Sequence, residues 1–333
     1  MKDPHHELIA TIRKQLKQAK KVLVISHQRP DGDAIGSLLA MGLPLLAVGK
    51  DVQMVLKDGI PENFRLLTGS ELVKMKPVGK FDYIIVVDSS EVERTDTDFN
   101  DYDIPDLNID HHKTNTYFAR LNLVEKEAVA TAEILTRYLR DLGFRITKPI
   151  ANALLSGIVT DTIGFRTTNV HPQVLRMVAD LMELGGNLAD IYYKTIVEQS
   201  LSSARYWGAG LSKIQMEDGL VWTTLSLSER HKAGYKARDD ADLVKILSAI
   251  EGARVAVILT EQDAGYVKIS WRLCGSLASD LDVSEIAQKY GGGGHKAAAG
   301  ADVKGILNEV LENVLADTKI AMNLVKDTIE ANR

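Results

Sequence analysis

A single cysteine, Cys274, stands in a chain of 333 residues. One thiol cannot build an internal disulfide framework or a cysteine-rich zinc site, and its isolation fits a reducing compartment. A basic excess is missing too: 40 Lys and Arg face 45 Asp and Glu, a formal net charge of −5. Each phosphate gripped along a long nucleic acid needs a cation, so this balance excludes a protein that coats long polymers. The longest uncharged apolar stretch, 34–49, is broken by Gly36, Gly42 and Pro44. It is also shorter than the roughly 20 residues of a membrane span. The first residues are charged throughout, without the apolar segment of a signal peptide, and the expectation is a cytoplasmic protein with no membrane partner. No solenoid-length repeat or low-complexity tract appears. What is present, 45% apolar and 26% charged residues, is ordinary for a globular protein and long enough for about two domains.

The first half of the chain repeats one pattern, a short apolar run that ends abruptly in acidic or histidine residues. Val22–Ile25 leads into Ser26 to Asp33, Val52–Leu56 into Lys57-Asp58-Gly59, Tyr83–Val87 into Asp88-Ser89-Ser90, and Leu107–Ile109 into Asp110-His111-His112. Helical stretches usually follow, which predicts a parallel sheet covered on both faces. Ligands of such sheets bind beyond the carboxyl ends of the strands, where these polar clusters fall. Helices are expected over 34–48 and 131–142, with Gly143 as a stop, and over 149–159, whose length suits a buried helix better than a strand. A helical connector over 191–215 separates domains at 1–190 and 216–333. The second reads as a smaller α/β unit: a strand at 221–225, a helix at 241–250 and a hairpin of 255–259 with 267–272. A cleft between the two domains is expected.

Several residues carry chemistry. His27, Asp31 and Asp33 lie within seven residues on a turn, and imidazole plus carboxylate suits Mn²⁺, Mg²⁺ or Zn²⁺, although Asp and Gly are also ordinary turn formers. Asp88 alone reads more readily as a helix cap or turn residue than as a ligand. Asp110-His111-His112 is stronger: neighbouring histidines on a regular element point to opposite sides, one to metal and one to substrate, with Asp110 orienting an imidazole. Asp161 follows an apolar stretch, where an unpaired carboxylate is costly, or it caps a turn. Together His27, Asp31, Asp33, Asp88, His111 and Asp161 offer six ligands, enough for two metals if one carboxylate bridges them.

In the second half, Gly291 to Gly294 precede His295, Lys296 and an Ala-Ala-Ala-Gly run that reads as buried. This is no Walker loop, since Lys296 stands where a glycine is required. The glycines Gly292, Gly293 and Gly294 let backbone N–H groups approach phosphate, with His295 as a further donor; a flexible linker is the plainer alternative. Strand alternation puts Lys268, Ser270 and Arg272 on one face, and a guanidinium suits phosphate. Trp207, Trp222 and Trp271 read as core residues, and His5, His6, His171 and His231 as terminal, loop or solvated positions.

These segments resemble the DHH phosphoesterase superfamily: His27 with Asp31-Gly-Asp33-Ala-Ile-Gly-Ser37, Val-Val-Asp88-Ser-Ser, Asp110-His111-His112, and Thr-Asp161-Thr-x-Gly-Phe165. Gly291 to Gly300 resembles the signature of the DHH-associated C-terminal domain, so the resemblance covers nearly the whole chain. It implies a parallel-sheet catalytic domain with a smaller α/β substrate domain, and is nearest to the stand-alone nanoRNases. These are oligoribonucleases that also convert 3′-phosphoadenosine 5′-phosphate (pAp) to AMP. The implied roles place one Mn²⁺ on His27, Asp31 and Asp88 and a second on Asp33, Asp88, His111 and Asp161, with Mg²⁺ or Co²⁺ also compatible. Asp110 orients, His112 contacts the scissile phosphate, a bridging hydroxide attacks phosphorus in line, and Arg272, Gly292, Gly293, Gly294 and His295 bind substrate. The family's usual serine after the arginine is here Leu273. Two divalent ions would bring the charge of −5 to about −1, which admits short anionic substrates. The partners implied are short oligoribonucleotides, pAp or dinucleotides. Three other readings share the site: a cyclic di-AMP or pApA phosphodiesterase, an exopolyphosphatase or pyrophosphatase, and a non-catalytic nucleotide-binding module.

Overall fold

The computed structural model describes residues 5–97, 104–275 and 281–331. The chain divides into two compact units at Glu198 and Gln199, within the 191–215 segment read as a connector.

The first unit runs α1 (His6–Gln18), β1 (Lys21–Ile25), α2 (Gly32–Ala47), β2 (Asp51–Val55), β3 (Val73–Lys74), β4 (Tyr83–Val87), β5 (Leu107–Asp110), β6 (Leu121–Val124), α3 (Thr131–Tyr138), α4 (Lys148–Asp161), α5 (Pro172–Glu183) and α6 (Leu188–Tyr192). Six parallel strands form one sheet in the order β3-β2-β1-β4-β5-β6. Val22 and Val24 of β1 and Ile85 and Val87 of β4 face the main core, which the helices supply with Ile12, Leu16, Ile35, Leu39, Leu154 and Ile158. The alternate residues Leu23, Ile25, Ile84 and Val86 form a smaller cluster, as the two-residue period of a strand requires, with Phe81 and Phe118 from loops packed against it. Helical cover of both faces is therefore corrected. After β2, β3, β4 and β5 the described chain returns through loops and short 3₁₀ turns, and only β1 and β6 lead into α-helices.

α2 and α4 pack closely because glycine lines their contact: a Cβ at Gly36 would lie 2.3 Å from the Ala153 carbonyl oxygen. The apolar stretch at 149–159 is a helix, as its length required, and it extends to Asp161. The expected helix over 131–142 ends at Tyr138 and that over 241–250 spans only Leu243–Leu247.

The second unit contains α7 (Leu201–Leu211), β7 (Gln215–Glu217), β8 (Leu220–Leu225), α8 (Leu227–Ala233), α9 (Leu243–Leu247), β9 (Val255–Gln262), β10 (Tyr266–Leu273), α10 (Val283–Gln288), β11 (Gly293–His295), β12 (Ala298–Lys304) and α11 (Leu307–Ala331). Its mixed sheet has the order β11-β12-β10-β9-β8-β7. β8 and β9 pair in parallel and the other neighbours are antiparallel, including the expected hairpin of β9 with β10. Along β10, Val267, Ile269 and Trp271 are buried while Lys268, Ser270 and Arg272 lie half-exposed on the other face. No helix among the described residues is long and apolar enough to cross a membrane.

Candidate metal centre

In the first sheet the connections run outward on one side from β1 to β2 and β3, then return to β4, β5 and β6 on the other. Strand order thus reverses between β1 and β4, the place where such sheets bind ligands beyond the carboxyl ends of the strands. His27 follows β1 and Asp88 follows β4 at that point. Asp31 caps α2: Oδ1 accepts the N–H groups of Asp33 and Ala34, both at 3.0 Å. Its cap role and its place in the cluster coexist, since Oδ2 lies 3.9 Å from His27 Nε2. Asp33 is fully buried. Its carboxylate accepts from the N–H groups of Thr131 (2.6 Å) and Ala132 (2.9 Å) at the start of α3 and from Ser37 Oγ (3.1 Å). Asp88 sits in left-handed backbone at φ 53°, uncommon outside glycine, and is fixed by its N–H to the Ile109 carbonyl (2.9 Å) and by Thr131 Oγ1 donating to its Oδ1 (3.0 Å). Asp161 comes from the last turn of a helix rather than a strand end.

The histidines are aimed by their other ring nitrogens. His27 Nδ1 lies 2.8 Å from the Gln28 carbonyl and His111 Nδ1 lies 3.2 Å from that of Ala128. A carbonyl only accepts, so Nδ1 carries a proton and Nε2 is the nitrogen turned to the carboxylates. His27 Nε2 is 3.5 Å from Asp88 Oδ2, and His111 Nε2 is 3.7 Å from Asp88 Oδ1 and 3.2 Å from Asp161 Oδ2. His112 is different. Its Nδ1 donates to Asp110 Oδ1 at 2.6 Å, and the same nitrogen is 3.8 Å from Asp88. The idea that His111 and His112 point to opposite sides is corrected: both lie beyond the end of β5, free of its alternation, with ring centroids 4.7 Å apart.

Among the described residues, three groups have ligand atoms within 4.8 Å of one another: His27, Asp31 and Asp88; Asp33, His111 and Asp161; and Asp88, His111 and His112. The proton that His112 Nδ1 gives to Asp110 leaves that nitrogen no lone pair for a metal. Burial, then the charges of Asp88 and its neighbours, holds the Asp33 and Asp161 carboxyls well above the usual range. Burial pushes Asp88 the same way, but the His27 hydrogen bond and the nearby imidazoles overcome it and hold Asp88 below the usual range. Burial works against charge on His27 and His112, yet the partners Asp88 and Asp110 outweigh it and raise both. Buried carboxylates crowded by like charge, faced by imidazole nitrogens, are a donor set that divalent cations fit.

Residues not singled out from sequence complete the centre. Asn115 donates to Asp110 Oδ2 (2.6 Å) and to Asn108 Oδ1 (2.8 Å), and Thr131 holds both Asp33 and Asp88. The available signal was a polar Asn108 inside an otherwise apolar strand.

The second unit holds a cavity of about 500 Å³ lined by Lys268, Ser270, Arg272 and Gly293, with Tyr235 and Asp239 among the other residues. Gly292, Gly294 and His295 are not in its lining. A Cβ at Gly292 would meet the Gly300 carbonyl oxygen at 2.2 Å, and Gly294 has φ 148° with the Ala298 carbonyl oxygen 2.5 Å from its Cβ position. Glycine at these two positions serves the β11–β12 pairing. A Cβ at Gly293 would meet open space. His295 is exposed, and the run after it is corrected: Lys296 and Ala297 are exposed and only Ala299 is buried. Leu273 packs against the core of this unit.

Comparison with known proteins gives two family matches, the DHH family N-terminal domain over residues 21–158 and the DHHA1 domain over 222–323. The chain is 35% identical over 302 residues, 88% of each chain, to the bifunctional oligoribonuclease and PAP phosphatase NrnA of Thermus thermophilus. To the protein of that name in Bacillus subtilis it is 25% identical, covering 85% of this chain and 89% of the relative. The crystal structure of an exopolyphosphatase-related protein from Bacteroides fragilis shares the fold, with a TM-score of 0.86 at 24% identity over 98% of both chains.

Proposed function

The chain belongs to the DHH family of phosphoesterases, and from that premise we propose that it hydrolyses short oligoribonucleotides to mononucleotides and pAp to AMP. The observation that carries this reading is Asp88, whose Oδ2 lies 3.5 Å from His27 Nε2 while its Oδ1 lies 3.7 Å from His111 Nε2, one oxygen toward each ligand set. His27, Asp31 and Asp88 would hold one Mn²⁺, and Asp33, Asp88, His111 and Asp161 the other. Bound ions of this kind polarise a phosphoryl oxygen and lower the pKa of the attacking water.

The side chains do the rest. Asp110, tied down by Asn115, keeps the Nδ1 proton of His112 in place, so Nε2 is the atom presented to the scissile phosphate. The raised pKa of His112 favours its charged form beside a phosphate. In the second unit, Arg272 and Gly293, which line its cavity, bind substrate phosphate, and the exposed His295 is a further donor. The names of the Thermus and Bacillus relatives support this substrate class over cyclic di-AMP or polyphosphate.

With Mn²⁺ present, a panel of di- to pentaribonucleotides, pAp, cyclic di-AMP and polyphosphate should show turnover of the first two classes. Asp88→Ala should abolish it while the fold persists. Faster turnover of cyclic di-AMP or polyphosphate overturns the substrate assignment, and full activity in Asp88→Ala overturns the metal assignment.

A further inference from the structure

A second concentration of positive charge lies along α1. The helix α1 presents His6, Ile9, Ala10, Arg13, Lys14 and Lys17 to a cavity of about 660 Å³, closed by Arg140 and Asp141 from the turn after α3. An adjoining cavity of about 340 Å³ is lined by Arg13 and Lys17 again, with Val48, Lys50 and Phe144. The shared residues make one groove, about 17 Å long from His6 to Lys17 at 1.5 Å per helical residue.

Its charge is concentrated. Arg13, Lys14, Lys17 and Arg140 are exposed, and no described carboxylate lies within ion-pair distance of them. What gathers these four is one cavity wall: Arg13, Lys14, Lys17 and Arg140 all line it, with Asp141 as its one acidic residue among the described residues. Lys50 Nζ donates to the Ala19 carbonyl (2.6 Å), which holds a fifth charge at the groove's end. Such an accumulation stands out in a chain of net charge −5. α1 runs from beside Glu125, just past β6, where His5 Nε2 lies 3.7 Å from Oε1, to the amino end of β1, and none of the groove's cations belongs to the candidate ligand groups.

We propose that this groove binds a nucleotide-sized anion carrying two or more phosphate groups. The volume is that of a small-molecule site, and the buried Ile9 and small Ala10 give an apolar floor beside the cations. Such a phosphate chain comes either from a free nucleoside polyphosphate or from the backbone of a short RNA. The proposal is independent of the reading of the metal centre.

Equilibrium titration of the full chain loaded with Mn²⁺, using ADP in one arm and a hydrolysis-resistant phosphorothioate tetraribonucleotide in the other, tests it. The wild type should bind one equivalent more than the Arg13→Glu, Lys17→Glu variant, whose affinity at this site falls about tenfold or more with the lost phosphate contacts. Dinucleotide hydrolysis should be unchanged in that variant. Extra binding of ADP identifies the free nucleotide as the source, and extra binding of the oligonucleotide alone identifies RNA. Equal stoichiometry and affinity in both proteins, for both probes, overturns the proposal. Arg13→Gln with Lys17→Gln, which removes charge without reversing it, repeats the comparison if the first variant misfolds.

Discussion

Asp110 accepts from His112 on one carboxylate oxygen and from Asn115 on the other, and it is fully buried. A buried carboxylate so engaged holds both the ring angle and the tautomer of its imidazole. Asp110→Asn keeps the volume but loses the charge and one acceptor, so His112 no longer has its Nδ1 proton fixed. Loss of an orienting partner of this kind costs on the order of 10–100-fold. The loss should fall in kcat, with KM for a dinucleotide little changed and Mn²⁺ stoichiometry unaltered, and an unchanged kcat would remove the pair from the site. At this scale the sequence was informative for the candidate ligands, because His27, Asp88, His111 and Asp161 stand at or just past the end of an apolar strand or helix, and apolar surroundings make an unpartnered Asp expensive. The supports were harder to read. Asn115 and Thr131 are ordinary loop and helix-start residues until the fold brings them to Asp110 and Asp88. Gly292 and Gly294 illustrate the reverse: four glycines look like a phosphate cradle, yet two are required by backbone packing against β12.

Helix contacts set the position of Asp33. Gly157 in α4 lies against it, and a Cβ there would sit 2.5 Å from both Asp33 Oδ1 and Ala132 Cβ. Two effects of Gly157→Ala oppose each other. Helix propensity favours alanine by about 1 kcal/mol, whereas overpacking a tight contact costs about 1–3 kcal/mol. The neighbours are a buried carboxylate and the first turn of α3, neither a flexible chain end, so the clash should win. The variant should melt lower and bind Mn²⁺ more weakly, because Asp33 must leave the hydrogen bonds of Thr131 and Ala132. A higher melting temperature with unchanged metal affinity would show that the contact is slack. Long elements with continuous apolar runs, such as β1, β4 and α4, were legible because burial on every side leaves one composition. β3, of two residues, and β11, of three with two glycines, carry no period to read and exist through pairing with β2 and β12. Charge hid α1, whose buried Ile9, Ile12 and Leu16 form a narrow stripe among its lysines.

Across the whole molecule, the ligand cluster ties stability to pH and to metal in a direction that can be worked out. His27 and His112 have folded pKa values raised above 6.5, so their contribution is full below pH 6.5 and is lost as pH rises through the raised values. Asp33 and Asp161 are raised above 3.8 and act in the same sense, since the folded chain pays increasingly to keep them ionised as pH rises. Asp88, lowered below 3.8, acts oppositely, but its stabilisation is already complete above that pH and does not change near neutrality. Between pH 6 and 8.5 the net slope for chelated protein is therefore downward. Divalent cations held by these same atoms would replace the missing protons and release protons on binding, so metal should stabilise more at the higher pH. Melting curves in chelator and in Mn²⁺ at both pH values measure this. Chelated protein should melt several degrees lower at pH 8.5, as about 2–4 °C per kcal/mol applies to units of this size, and Mn²⁺ should close most of that gap. A chelated protein equally stable at both pH values, with no larger gain from Mn²⁺ at pH 8.5, would mean that the crowded carboxylates are balanced by groups other than a metal.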